Sequence, residues 1–186
     1  MYRVTNENLD HPDLPQTVVN LSQLISAREF QGWVNLRQRQ VLERAHMDNA
    51  IHKALSSKVI AVVGLSKDPA KPSYEVASYL RANGFKIIPI NPTADFILSE
   101  KSYASLLDLP TDIKRELDVV DIFRRSEDIP MVMKEAVQIH VDYLRPSVVW
   151  MQLGIINQTA AKIARDSGMG VVMDRCMKIE HGKMRI

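Results

Sequence analysis

The residue types able to do chemistry gather in one stretch of this chain, Val59-Ile60-Ala61-Val62-Val63-Gly64-Leu65-Ser66-Lys67-Asp68-Pro69-Ala70-Lys71-Pro72-Ser73. Its opening apolar, β-branched run predicts a strand buried on both faces of a parallel sheet. Gly64 ends the run, where a residue without a side chain lets the backbone turn and approach a ligand closely. Leu65 and Ser66 continue the turn, and Lys67 and Lys71 bring two cations to it. Ser73 follows Pro72 and reads as the N-cap of a helix. Strand, turn and helix N-terminus together direct unpaired N–H groups and the positive helix end at one point. That is an anion site, suited to a phosphate-bearing cofactor.

The elements that must position this stretch alternate along the chain. A clean amphipathic segment, Met47, Ala50, Ile51, Ala54 and Leu55, has helical spacing and leads into the first strand. It places a boundary near residue 46, with 1–46 an N-terminal, partly helical extension and 47–186 the sheet domain. Within the extension, residues 1–16 read as irregular chain and Thr17 to Arg44 as an untidy helix. Val76, Ala77 and Leu80 mark a helix that stops at Asn83-Gly84. Phe85 to Ile90, Asp118 to Phe123, Ser147 to Leu153 and Gly170 to Met173 read as further strands. Phe96 to Leu98 suggests a short one. Helices are expected over Asp128 to Val141 and, capped by Asn157, over Gln158 to Ser167. Alternating strands and helices with short connections predict an α/β fold, Rossmann-like and doubly wound. Its sheet is mainly parallel, with helices on both faces.

In such a fold the loops after the strands converge on one crevice. Here they supply Gly64 to Lys67, then Asn91-Pro92-Thr93, Phe123-Arg124-Arg125 and Gln152-Leu153-Gly154. Small residues permit close approach, amides and hydroxyls bond to a ligand, and cations meet phosphate. Phe123 can press on a ring, and Gln152, polar at the end of an apolar strand, is a contact candidate. Of the two arginines, Arg124 is the expected binder, while its neighbour pairs with Asp121 or Asp128. The first turn lacks the Gly-x-Gly-x-x-Gly spacing of dinucleotide sites, and Asn91-Pro92 stands where a ribose-binding carboxylate belongs. An amide among cations suits a ligand with an extra phosphate. Coenzyme A, with a diphosphate and a 3′-phosphate, fits better than NAD; NADP fits on charge alone.

Six blocks in order carry a family resemblance: Val59 to Ser66, Lys71 to Val76, Pro89 to Pro92, Asp118 to Arg124, Val149 to Gly154 and Val171 to Met177. Residues 47–180 resemble the small stand-alone CoA-binding proteins, whose domain matches the N-terminal domain of the succinyl-CoA synthetase α subunit. The resemblance implies that Gly64 to Lys67 and Ser73 hold the diphosphate and that Asn91-Pro92 lines the nucleotide cleft. It further implies that Phe123-Arg124 borders the adenosine and that Trp150 to Gly154 lies along the pantetheine. The family commonly has a glycine near Ser99. The synthetase's phosphohistidine domain has no counterpart in these 186 residues, so ligase chemistry is not carried over.

Composition sets the outer limits. With 46% apolar and 25% charged residues and a net charge of +2, the chain reads as one ordinary globular core plus an appendage. That charge gives no argument for nucleic acid. Cys176, the single cysteine, excludes an intrachain disulfide and fits a reducing compartment; the default reading is a buried, inert thiol rather than one forming a mixed disulfide with CoA. No apolar run approaches the roughly 20 residues of a membrane span, and the first ten residues do not read as a leader. Cytoplasm is therefore the expected location. The five histidines show no metal spacing, and no nucleophile–base pair or paired carboxylates stand out. The expected function is non-catalytic binding of CoA or an acyl-CoA. Alternatives are an NAD(P)-dependent oxidoreductase and a ligand-responsive regulator with residues 1–46 as a DNA-binding head. Self-association through Phe30, Trp33 and Val34 is a further expectation.

Overall fold

The computed structural model describes residues 27–184. Residues 1–26, including the first part of the expected Thr17–Arg44 helix, lie outside that range, as do the side chains of Phe30 and Trp33. The chain divides into two compact units, Met1–Leu42 and Glu43–Ile186. In the first, the described residues are helical, with Leu36, Val41 and Leu42 exposed. Helix α1 (Ala27–Leu55) is continuous through residue 46. No described helix is long and apolar enough to cross a membrane.

The second unit is built on a five-stranded sheet. Its strands are β1 (Val59–Val63), β2 (Lys86–Ile90), β5 (Val119–Ile122), β6 (Val148–Met151) and β7 (Gly170–Val172). They lie in the order β2-β1-β5-β6-β7, and every pairing is parallel. Sequence pattern and structure agree because β1, β5 and β6 are buried along their whole length, as their apolar runs, interrupted only by Asp121 in β5, suggest. Helix α2 (Pro72–Ala82) connects β1 to β2; Asn83 closes it and Gly84 follows at φ 90°. A small antiparallel pair, β3 (Phe96–Ile97) and β4 (Glu100–Lys101), and helix α3 (Thr111–Glu116) lead to β5. Helices α4 (Ile129–Tyr143) and α5 (Gln158–Asp166) make the next two crossovers, and α6 (Met177–Met184) follows β7.

Alternation along the strands sends side chains to two cores. Ile60, Val62, Val119 and Trp150 pack with Ala50, Ala54, Val76, Leu80 and Met177, so the end of α1, α2 and α6 clad one face. Ala61, Val63, Val120 and Ile122 pack with Ile129, Met133, Ala136, Ala161 and Ala164 of α4 and α5 on the other. This is the doubly wound arrangement. Trp150 is a core wall, fully buried, with its indole Nε1 donating to the Arg175 carbonyl at 2.7 Å. Asn157 caps α5 as its position predicts, accepting from the Ala160 amide at 2.9 Å.

Some local readings change. Ser73 is not the N-cap of α2: Lys71 holds that position without a side-chain bond, and Pro72 takes the first helical turn, where its missing N–H costs nothing. Helix α6 carries no apolar periodicity, with Met177 buried and Ile179 exposed, so packing rather than pattern specifies it. Helix α3 has no buried residue at all and leaves no stripe to read.

The β3–β4 turn puts Leu98 at φ 55° and Ser99 at φ 62°, both left-handed. Two such residues in a two-residue hairpin turn favour glycine, and a side chain there costs roughly 1 kcal/mol. Ser99→Gly is expected to stabilise the fold by less than about 1 kcal/mol, after allowing for the looser unfolded chain, and so to raise the urea midpoint. An unchanged or lower midpoint would show that the turn carries no such cost.

Candidate functional site

The strand order reverses between β1 and β5, and in open α/β sheets ligands bind at that switch point, beyond the carboxyl ends of the strands. Gly64 stands there at φ 85°, and a Cβ built on it would run into the Phe123 carbonyl oxygen. Glycine is therefore required twice, by backbone conformation and by the closeness of the neighbouring loop. Hydrogen bonds fix the turn: the Gly64 amide donates to Ile90 O at 2.9 Å and the Phe123 amide to Val63 O at 2.8 Å. The Ser66 amide donates to Ser73 Oγ at 3.0 Å, so Ser73 ties the loop to the first turn of α2 instead of capping it. Ser66 Oγ in turn accepts from the Asp68 amide at 3.1 Å.

A cleft of about 660 Å³ opens over this turn. Seven expected contact residues line it: Gly64, Ser66, Lys71, Ser73, Phe123, Arg124 and Gln152. Five do not. Leu65 is fully buried and offers only backbone, its carbonyl accepting from Asn91 Nδ2 at 2.8 Å. Asn91 is otherwise engaged as a brace, its Oδ1 accepting from the Thr93 amide and hydroxyl, both at 2.8 Å. Lys67 and Pro92 are exposed outside the cleft lining, and Gly154 donates its amide to Asp174 Oδ1 at 2.7 Å. Leu153 of the expected Gln152-Leu153-Gly154 loop also lines the cleft, and the structure adds Val76, Ile155, Cys176 and Ile179 to the walls. Ile179 belongs to α6, which left no pattern.

Electrostatically the cleft has a positive end. The N-terminus of α2 borders it through Lys71, Pro72 and Ser73, and Arg124 reaches it half-buried. Among the described residues neither Lys71 nor Arg124 has an ion-pair partner. Arg125 does: it meets Glu127 at 2.8 Å and Asp128 at 3.3 Å, as the spacing to Asp128 suggested. The rest of the wall is mostly apolar, with Ser66, Arg125 and Gln152 as its further polar residues. Gln152 Nε2 donates to both oxygens of the fully buried Asp121, at 2.8 and 3.0 Å. Burial lifts the Asp121 carboxyl to about 7, against the lowering effect of the bonds from Gln152 and the Ile122 backbone. Among the described residues no group of three His, Cys, Asp or Glu side chains is placed to hold a metal.

Sheet order and helices on both faces define a Rossmann-like α/β domain with a cleft at its switch point. The chain belongs to the CoA binding domain family, whose model matches residues 58–182. The uncharacterised protein YneT of Bacillus subtilis is 38% identical over 125 residues, 67% of this chain and 86% of that one. An ADP-forming acetate–CoA ligase II of Archaeoglobus fulgidus is 41% identical over 83 residues, which are 44% of this chain and only 12% of the ligase. Among solved structures, a Thermus thermophilus protein superposes with a TM-score of 0.65 at 34% identity, covering 74% of this chain and 98% of that one.

Asp121 makes stability depend on pH. Its folded pKa lies above the unfolded value of about 3.9, so between about pH 4 and 7 the native state binds more protons and stability falls as pH rises. Asp121→Asn removes this component. Urea unfolding across that range is expected to show a downward slope with pH in the wild type relative to the variant, of at most about 1.4 kcal/mol per unit. Parallel curves for the two proteins would mean that Asp121 titrates as an exposed carboxyl does.

Proposed function

We propose that this chain binds coenzyme A or an acyl-CoA, without chemistry of its own, in the cleft over the β1–α2 turn. The observation that carries the reading is the unpaired cation pair, Lys71 and Arg124, flanking the N-terminus of α2 at a glycine-enforced switch point. Backbone amides and the helix dipole suit the diphosphate, and the two cations add full charge to the same end. The apolar walls, Leu153, Ile155 and Ile179 among them, suit the pantetheine arm. Family membership supports CoA over other phosphorylated cofactors, and the similarity of 83 residues to an acetate–CoA ligase points the same way. Binding is the whole proposed activity. Such a domain would hold, sense or present the cofactor.

A ligand that binds only the folded state raises its thermal midpoint with affinity and concentration. Measured side by side at equal concentration, CoA is expected to give a larger shift than ADP, NAD or NADP. Arg124→Ala is expected to weaken CoA by roughly tenfold or more, as loss of a charge-assisted bond does, and Lys71→Ala by less because that side chain is exposed. Lys67→Ala, outside the cleft lining, serves as the near-neutral control. A larger shift with NADP than with CoA would point to the wrong cofactor.

A further inference from the structure

The floor of the cleft holds a polar pair that phosphate binding leaves unused. Asp121 sits on β5 between Val120 and Ile122, whose side chains join the α4–α5 core, so its carboxyl faces the opposite side of the sheet. It is completely buried, and Gln152, immediately after β6, is only 3% exposed. An ionised carboxylate accepts and cannot donate, so the two bonds from Nε2 turn the amide nitrogen of Gln152 inward and its carbonyl oxygen away. Every fully buried side-chain nitrogen or oxygen among the described residues has a partner. No described residue donates to Gln152 Oε1, so this oxygen reaches the cleft that Gln152 lines.

We infer that Asp121 is a positioning residue for specificity: it holds the Gln152 amide with its carbonyl oxygen toward the cleft, selecting a ligand that presents an N–H donor there. The inference rests on the CoA reading above and names the part recognised, an amide N–H of the pantetheine arm. Ligands with an oxygen acceptor at that point would leave Oε1 facing another lone pair and unpaired, which is costly in so enclosed a place.

Asp121 owes its behaviour to this arrangement. Its sheet neighbours, Val62 on β1 and Trp150 on β6, do not titrate. The titratable groups around the cleft are Lys71 at the start of α2, Arg124 and Arg125 after β5, and Cys176 before α6; none contributes to the shift, which burial causes. When Asp121 gains a proton it gains an O–H donor. It can then bond to Gln152 Oε1 and let the amide turn its nitrogen outward, so preference for an N–H ligand weakens as pH falls.

The test compares CoA with two analogues, each having one pantetheine amide N–H replaced by an ester oxygen. Calorimetric titrations use the wild type, Asp121→Val and Gln152→Leu between about pH 5.5 and 8.5. At the alkaline end, one analogue is expected to bind the wild type roughly tenfold more weakly than CoA. That ratio cancels the titration of phosphates and cleft cations common to both ligands, and it is expected to shrink toward unity at acid pH. Both variants are expected to show no preference at any pH. Equal binding of CoA and both analogues at alkaline pH overturns the inference, and so does a preference that survives in Asp121→Val. If Asp121→Val does not fold, a wild-type preference that is constant with pH overturns the role of Asp121. A wild type silent toward CoA itself overturns the underlying reading, and is told apart because no ligand then gives heat.

Discussion

Where β1 and β5 end side by side, residue 64 has no room for a side chain. The Phe123 carbonyl fills the space a Cβ would need, and the backbone there is left-handed. This one steric constraint sets the rest of the site. It lets the chain leave β1 tightly enough for Ser66 to reach Ser73 Oγ, which brings the start of α2 back over the strand ends. It holds the loop carrying Arg124 against the same turn, so that a cation from β5 and a helix N-terminus from α2 share one cleft. A larger residue would push apart the loops whose closeness makes the anion site.

Much of the fold was legible in the sequence, because the strands are buried on both faces and read as short β-branched apolar runs bounded by turn residues. Asn83-Gly84 and Asn157 sit at turns and caps, where local chemistry dictates residue type and distant packing matters little; at Gly64 the left-handed turn is local, but the approach of Phe123 is not. The misses have the opposite character. Ser73 lies two residues past the cap position, because Pro72 claims the helix start and the hydroxyl finds a partner seven residues back. Asn91 was read as a cleft residue from its place at a strand end, yet its amide is spent holding the Leu65 carbonyl and the Thr93 turn. Helix α6 brings Ile179 to the cleft without any periodic signal, since its environment is supplied by β7 and α2 rather than by its own pattern. Residues far apart in sequence, such as Asp121 and Gln152, meet only through the register of two parallel strands, and nothing local announces the pair.

The cleft divides its work by physics. Its charged end, built from backbone amides, a helix terminus and two unpaired cations, attracts phosphate over a distance set by salt. The apolar wall gives area without direction. Between them the buried Asp121 carboxyl holds the amide nitrogen of Gln152. Such a division suits a ligand that is polyanionic at one end and an amide-bearing, largely apolar arm at the other, which is the chemistry of CoA.

The central claim is that the diphosphate of CoA docks on the turn at Gly64. Phosphorus NMR of CoA titrated with the protein addresses this most directly, because the two diphosphate resonances and the 3′-phosphate resonance are observed separately. The account predicts that both diphosphate resonances move on binding and lie closer to their free positions when Arg124→Ala replaces the wild type at the same sub-saturating concentration. Diphosphate resonances that stay at their free positions while the protein is saturated with ligand would contradict it.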